Sequence, residues 1–258
     1  MIRGLYTAAS GMIMEMVRND TISNNLANVN TVGFKKDVAV FNNFNKLFIQ
    51  RLNNPPAIKG EKFSIYHPIR IGNVGTGVKV DAICVDHSNG HLQQTENPLD
   101  LALQGDGFFV VETPSGLRYT RDGAFSLNNR GELVTRDGFR VLGENGFIVI
   151  NGTEVNIGED GNVQVDGKFI DRIQIVDFED RRVLRKVGRT LFMAPLNAPV
   201  VSGSAKVLSR NLEMPNVEIA TEMVNMITAM RSYEINQKAI HTEDEMLSKV
   251  INEVGKPV

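Results

Sequence analysis

The chain has 258 residues, 42% of them hydrophobic, and its 28 basic and 30 acidic side chains leave a net charge of −2. That near balance gives no electrostatic reason to expect nucleic acid or a membrane surface as partner, and no apolar run approaches the roughly 18 residues that would span a bilayer. A single cysteine, Cys84, excludes a disulfide framework. The opening Met1-Ile2-Arg3-Gly4-Leu5-Tyr6 lacks the apolar stretch of a secretory signal, so a route out of the cytosol is expected to be a different one.

From Leu5 the apolar residues recur at helical spacing as Ala8, Ala9, Met12, Met16, Ile22, Leu26 and Val29. An amphipathic helix from Gly4 to Asn28 is predicted, about 37 Å long. It should fail at Asn28-Val29-Asn30-Thr31, with Gly33 suited to a left-handed turn beyond it. On that reading Gly33→Val should be strained and Gly33→Asn milder. Residues 37–73, with Pro55-Pro56 and Pro68, read as an extended connector.

The pattern then changes to β. Val78 to Val85 alternates, and Phe108-Phe109-Val110-Val111 is a short apolar run between turn residues. Asp-Gly recurs at Asp106, Asp122, Asp137, Asp160 and Asp166, and Asn-Gly at Asn89, Asn145 and Asn151. Such pairs tolerate positive φ and favour tight hairpins. A compact unit of short antiparallel strands over 74–208 is expected.

Period 3.6 returns in 209–258. Leu212, Ile219, Met226, Tyr233, Ile240 and Leu247 are spaced seven apart, and Met223, Met230 and Ile251 fill most of a companion row that Gln237 and Asp244 interrupt. Sustained heptads predict a coiled-coil helix from Val217 to Asn252, about 54 Å long. The fold class is therefore α+β: a mainly-β central domain carried on long N- and C-terminal amphipathic helices. Residues 1–36 hold four basic and two acidic side chains, and residues 215–258 hold four basic and seven acidic, so opposite charge favours the two ends lying together. Seven of the ten methionines fall in the two predicted helices, and Met14 lies on a different side of its helix from Met12 and Met16. A helix apolar over more than one face wants more than one neighbour.

No constellation supports catalysis, a metal or a cofactor. His87 and His91 flank an expected turn and read as exposed loop imidazoles, and His241 as part of a solvated helix face. Gly72 to Gly77 matches neither a dinucleotide fingerprint nor a P-loop. Asp160 to Asp166 has the spaced oxygens of a calcium loop, but Val165 stands where glycine is needed, so a hairpin is expected. Arg181 to Arg189 holds five basic residues, with Asp177, Glu179 and Asp180 placed to neutralise them. Ser10, Ser23 and Ser115 lack a His–Asp context for nucleophilic chemistry.

Ser23-Asn24-Asn25-Leu26-Ala27-Asn28-Val29-Asn30-Thr31-Val32-Gly33-Phe34-Lys35 resembles the N-terminal signature of bacterial flagellar rod and hook proteins. Asn216 through Ile227, then Arg231-Ser232-Tyr233-Glu234-Ile235-Asn236, is similar to the family's C-terminal signature. Leu99 through Phe109 and Tyr119-Thr120-Arg121-Asp122-Gly123 look like its β-domain core. The resemblance implies a distal or proximal rod subunit of the flagellar basal body, exported without a cleaved signal through the flagellar type III apparatus. Its implied partners are copies of itself and other rod or hook subunits, with no enzyme activity. The assembly interface is expected at Leu5, Met12, Met16, Leu26, Leu212, Ile219, Met223, Met226, Met230, Tyr233, Ile240 and Leu247. Asn25, Asn28, Asn30, Gly33 and Phe34 are expected to form the hinge. The competing reading is a closed coiled-coil adaptor that presents the β domain as a ligand-binding module.

Overall fold

A computed structural model describes residues 2–44, 47–51, 69–152, 154–195, 198–203 and 205–254. Pro55, Pro56 and Pro68 of the expected connector lie outside them. The chain divides into two compact units, one of Met1–Ile22, Ala39–Ile83 and Val224–Val258, the other of Ser23–Val38 and Cys84–Met223.

The first unit contains most of two helices, α1, Ile2–Ala27, and α2, Ile219–Val254. They run antiparallel, because Gly4 of α1 lies against Glu243 of α2 and Gly11, seven residues on, against Asn236, seven residues back. A methyl group added at Gly11 would stand 2.9 Å from Asn236 Nδ2, so the absent side chain is what admits the partner helix. On another side of α1, Ser10 Oγ accepts a hydrogen bond from Val78 N at 3.3 Å. The segment expected as a connector carries strands: Asp37–Asn43, which pairs with Val78–Val85, and a hairpin of Leu47–Arg51 with Ile69–Val74. Its apolar residues Leu47, Phe48, Ile49, Ile71 and Val74 are exposed.

The second unit is built around Phe108–Thr113. This strand pairs with Gly116–Thr120 along one edge and with Arg140–Val141 and Ile175–Phe178 in succession along the other. Phe109 and Val111 point into a core with Leu101, Phe125, Leu133 and Ile148, whereas Phe108 and Val110 join Phe178 and Phe192 on the opposite face. Burial on both faces explains why this strand reads as an unbroken apolar run. Among the described residues its sheet has nine strands.

A second sheet joins Val155–Ile157, Asn162–Val165 and Lys168–Arg172, so the acidic loop at Asp160 lies between paired strands. Asp166 and Gly167 have φ of 50° and 76°, the tight turn their sequence suggests. Asp122-Gly123 departs from that pattern: Gly123 is packed against the Leu101 carbonyl and accepts a hydrogen bond from Leu101 N at 3.0 Å, a tertiary contact and not a hairpin turn.

Leu212 requires a correction. It lies in the strand Asn211–Glu213, paired with Leu92–Gln94, and is buried with Val32 and Ala124. Its seven-residue phase with Ile219 crosses Pro215, which donates no backbone hydrogen bond and disfavours helix before it. The β structure accordingly runs past Leu208, and α2 starts only at Ile219.

Candidate functional site: helix surfaces and a buried charged junction

Along α2, Glu222, Met226, Ala229, Tyr233, Asn236, Ile240, Glu243 and Leu247 are buried or half-buried. They follow the alternating four- and three-residue steps of a single helix face. The expected row through Met226, Tyr233, Ile240 and Leu247 is thus the sheltered one. Its companion differs from expectation: Glu222, Ala229, Asn236 and Glu243 fill it, while Met223, Met230 and Ile251 are exposed, as is Ile219. Small and polar residues occupy this row because Gly4 and Gly11 bring α1 too close for large ones. On α1, Leu5, Met12 and Leu26 are half-buried and Met16 is exposed.

The outer faces remain strongly apolar. Val224 is 62% and Ile235 66% exposed, with Ile227, Met246, Val250 and Ile251 also exposed on α2 and Tyr6 and Ile13 on α1. Apolar surface of this extent is rare on an isolated subunit. Among the described residues, no helix is long and apolar enough to cross a membrane.

Beyond α1 the Asn-rich segment is fixed by hydrogen bonds. Asn25, 2% exposed, uses Nδ2 to donate to Asp37 O and Oδ1 to accept from Asp37 N, both at 2.9 Å, clamping the helix end to the strand that follows. Asn28 Nδ2 donates to Asn24 O, and Asn28 Oδ1 accepts from Thr31 Oγ1. Asn30 is exposed. Gly33 has φ of 67°, and its N–H donates to Glu213 O at 2.8 Å. Phe34 is fully buried with Lys186 Nζ 3.7 Å from its ring centre. Lys186 Nζ also donates to Lys35 O and pairs with Asp37.

Sequence reasoning missed the centre of this junction. Glu213, 1% exposed, takes Lys35 Nζ at 2.6 Å, Arg121 Nη1 at 3.3 Å and Gly90 N at 3.0 Å. Lys35 Nζ also donates to Ser88 O, and Arg121 Nη2 to Gly105 O. Burial pulls the Lys35 ammonium below its usual pKa, with Glu213 working in the opposite direction. Burial likewise lowers Arg121. The signature, the loop at Gly90 and the β core therefore meet at one desolvated carboxylate. Asn216 adds a staple by accepting from Lys36 N and donating to Asp86 O.

His87 is not an exposed loop imidazole. Its ring lies 5.8 Å from that of Phe108 and 5.4 Å from that of Phe192. Burial, then the charges of Lys35, Arg181 and Arg121, push its pKa down to about 4. Unfolded, the imidazole takes up its proton near pH 6.5, so between pH 6.5 and 4 the unfolded chain binds more protons, and stability is lost as the pH is lowered through this window. Solvent at the partly open ring screens the effect to about 1–2 kcal/mol. Thermal melts of His87→Gln should be flatter across this window than those of the parent.

Three of the five basic side chains in the run are paired with carboxylates. Arg181 pairs with Asp177 and Asp106, Arg182 with Asp180, and Lys186 with Asp37. Among the described residues, no group of three or more His, Cys, Asp or Glu side chains is arranged to hold a metal.

Comparison with known proteins turns this geometry into a family assignment. Three family descriptions match: "Flagella basal body rod protein" over residues 5–35, "Flagellar hook protein FlgE/F/G D1 domain" over 102–165 and "Flagellar basal body rod FlgEFG protein C-terminal" over 208–253. The chain is 37% identical to the flagellar basal-body rod protein FlgG of Bacillus subtilis (strain 168) over 268 residues, covering 98% of this chain and 99% of that protein. It is 38% identical to FlgG of Borreliella burgdorferi over 263 residues, covering 96% and 97%. The chain belongs to the flagellar basal-body rod family. The Bacillus subtilis flagellar hook-basal body complex protein FlhO, 30% identical over 278 residues covering 99% and 100%, is a further similar protein. This rod-family chain is a structural subunit of the flagellar basal body, and the junction and helix faces described above are parts of that subunit. The matched segments 5–35 and 208–253 contain Lys35 and Glu213, the two partners of the shortest buried ion pair.

Proposed function

We propose that this subunit assembles with copies of itself into the helical tube of the rod, and that the outer faces of α1 and α2 form the contacts between copies. The observation that carries the reading is the exposed apolar surface of α2, where Val224, Ile227, Met230 and Ile235 face solvent over several turns. Isolated helices gain little in water, and copies packed side by side would bury this stripe in coiled-coil fashion. A heterologous contact that does not close propagates as a tube, which suits a part that transmits torque. The Asn25–Asp37 clamp and the Glu213 junction would then hold the exit from α1 at a fixed geometry, and a rigid exit favours stiffness. Other rod and hook subunits would meet the same helix faces at either end of the run. Export through the flagellar type III apparatus belongs to this reading.

Polymerisation of the purified full chain tests it. Growth of tubes above a sharp critical concentration is the expected result. A closed oligomer of fixed mass at every concentration would support the adaptor reading instead.

A further inference from the structure

Within the helical unit, α1 and α2 enclose a groove of about 390 Å³ lined in part by Glu15, Met16 and Asn19 of α1 and Met230, Tyr233 and Glu234 of α2. Glu15 is 5% exposed, and among the described residues its Oε2 has no hydrogen-bond partner, nor has Asn19 Oδ1. Arg18 Nη1 forms a long ion pair with Glu15 Oε2 at 3.9 Å, which offsets part of the charge but lies beyond hydrogen-bonding distance and leaves the oxygen without a donor. The groove therefore offers two unmet acceptors, with a second carboxylate from Glu234 at its side. A sheltered carboxylate without a donor is costly, and a cation arriving on binding removes that cost. Met16 and Met230, each about half exposed, give the groove apolar lips. The stem of a long basic side chain can lie along such thioethers while its charged end reaches inward.

We propose that this groove seats an arginine or lysine side chain of a second copy of the chain. The proposal rests on the assembly reading and names the chemistry of one contact in it. A second copy is the favoured occupant because the charges complement each other: residues 1–36 are net basic and residues 215–258 net acidic. Arg3, Arg231 and Lys238 are moreover exposed on the same helix pair that carries the groove. Each copy thus presents both an acceptor groove and exposed cations, as a head-to-tail contact requires.

The test is assembly of the purified full chain carrying Glu15→Gln, Glu15→Lys or Glu234→Lys, the last altering an exposed position. Critical concentration is read by sedimentation, with helical circular dichroism and the melting temperature of the unassembled chain as controls. Losing a charge-assisted hydrogen bond should raise the critical concentration at least about tenfold for Glu15→Gln. Both lysine variants should fail to assemble, with unassembled Glu234→Lys keeping the parental melt. In an electron cryo-microscopy map of parental tubes, a basic side chain of a neighbouring copy should reach Glu15. Parental critical concentrations in Glu15→Gln and Glu234→Lys, or a groove filled in the tube by solvent or an apolar segment, would overturn the proposal while leaving the assembly reading intact. Failure of the parental chain to form tubes would instead remove the reading on which it rests.

Discussion

Glu213→Gln is expected to destabilise the second unit by about 3–5 kcal/mol, the usual cost of removing one partner from a buried ion pair. The carboxylate is held by Lys35, Arg121 and the Gly90 amide, and it is the charge that neutralises the two cations closest to it. With a neutral amide there, Lys35 and Arg121 face each other in a desolvated space, and their repulsion adds to the lost pairing. Urea unfolding followed by near-ultraviolet circular dichroism measures the change, provided the slope of the transition is unchanged. Exposed pairs such as Lys206–Glu159 should have no measurable effect when broken in the same assay. A loss below 1 kcal/mol for Glu213→Gln would show that the junction is solvated in solution.

Gly33→Ala should cost about 3 kcal/mol or more, and Gly33→Asn should be no milder. The φ of 67° alone strains a residue with a side chain by about 1–3 kcal/mol, a penalty that asparagine partly escapes. Contact decides the matter. A Cβ at this position would overlap the backbone of Arg121 and Asp122, and retreat from that overlap would pull the Gly33 amide from Glu213 O. The sequence suggested that Asn would be milder because it tolerates the left-handed region; here the turn is also packed against the backbone of Arg121 and Asp122. Equal stability of Gly33→Asn and the parent in urea would contradict the close packing.

What was legible in the sequence was local. The apolar period marked both helices, α1 at Ile2–Ala27 and α2 at Ile219–Val254, and alternation marked the strand Val78–Val85. Aspartate–glycine pairs located several turns. Periodicity failed where it was carried across a break, as with Leu212 beyond Pro215, and where a helix is apolar on more than one side. On α2, seven-residue spacing assigned Met223 and Met230 to the same seam as Met226 and Tyr233, whereas within the chain Gly4 and Gly11 of α1 face the row containing Asn236 and Glu243 and both methionines are exposed. The charged junction left no local trace. Glu213 lies 178 residues from Lys35 and 92 from Arg121, and each reads in isolation as an ordinary surface charge. His87 was misread for the same reason, since the rings of Phe108 and Phe192 come from distant strands.

Assembly of a chain carrying both Ile227→Asp and Ile235→Asp separates surface from core. The two side chains are 52% and 66% exposed, so the unassembled subunit should keep its parental melting temperature and helical content. Two carboxylates carried into an apolar contact between copies would cost several kcal/mol at every repeat. No tubes in sedimentation and electron microscopy, and no motility in cells making the variant at the parental level, is the result expected if these faces join copies in the rod. Normal tubes and normal motility from a correctly folded double variant would contradict it.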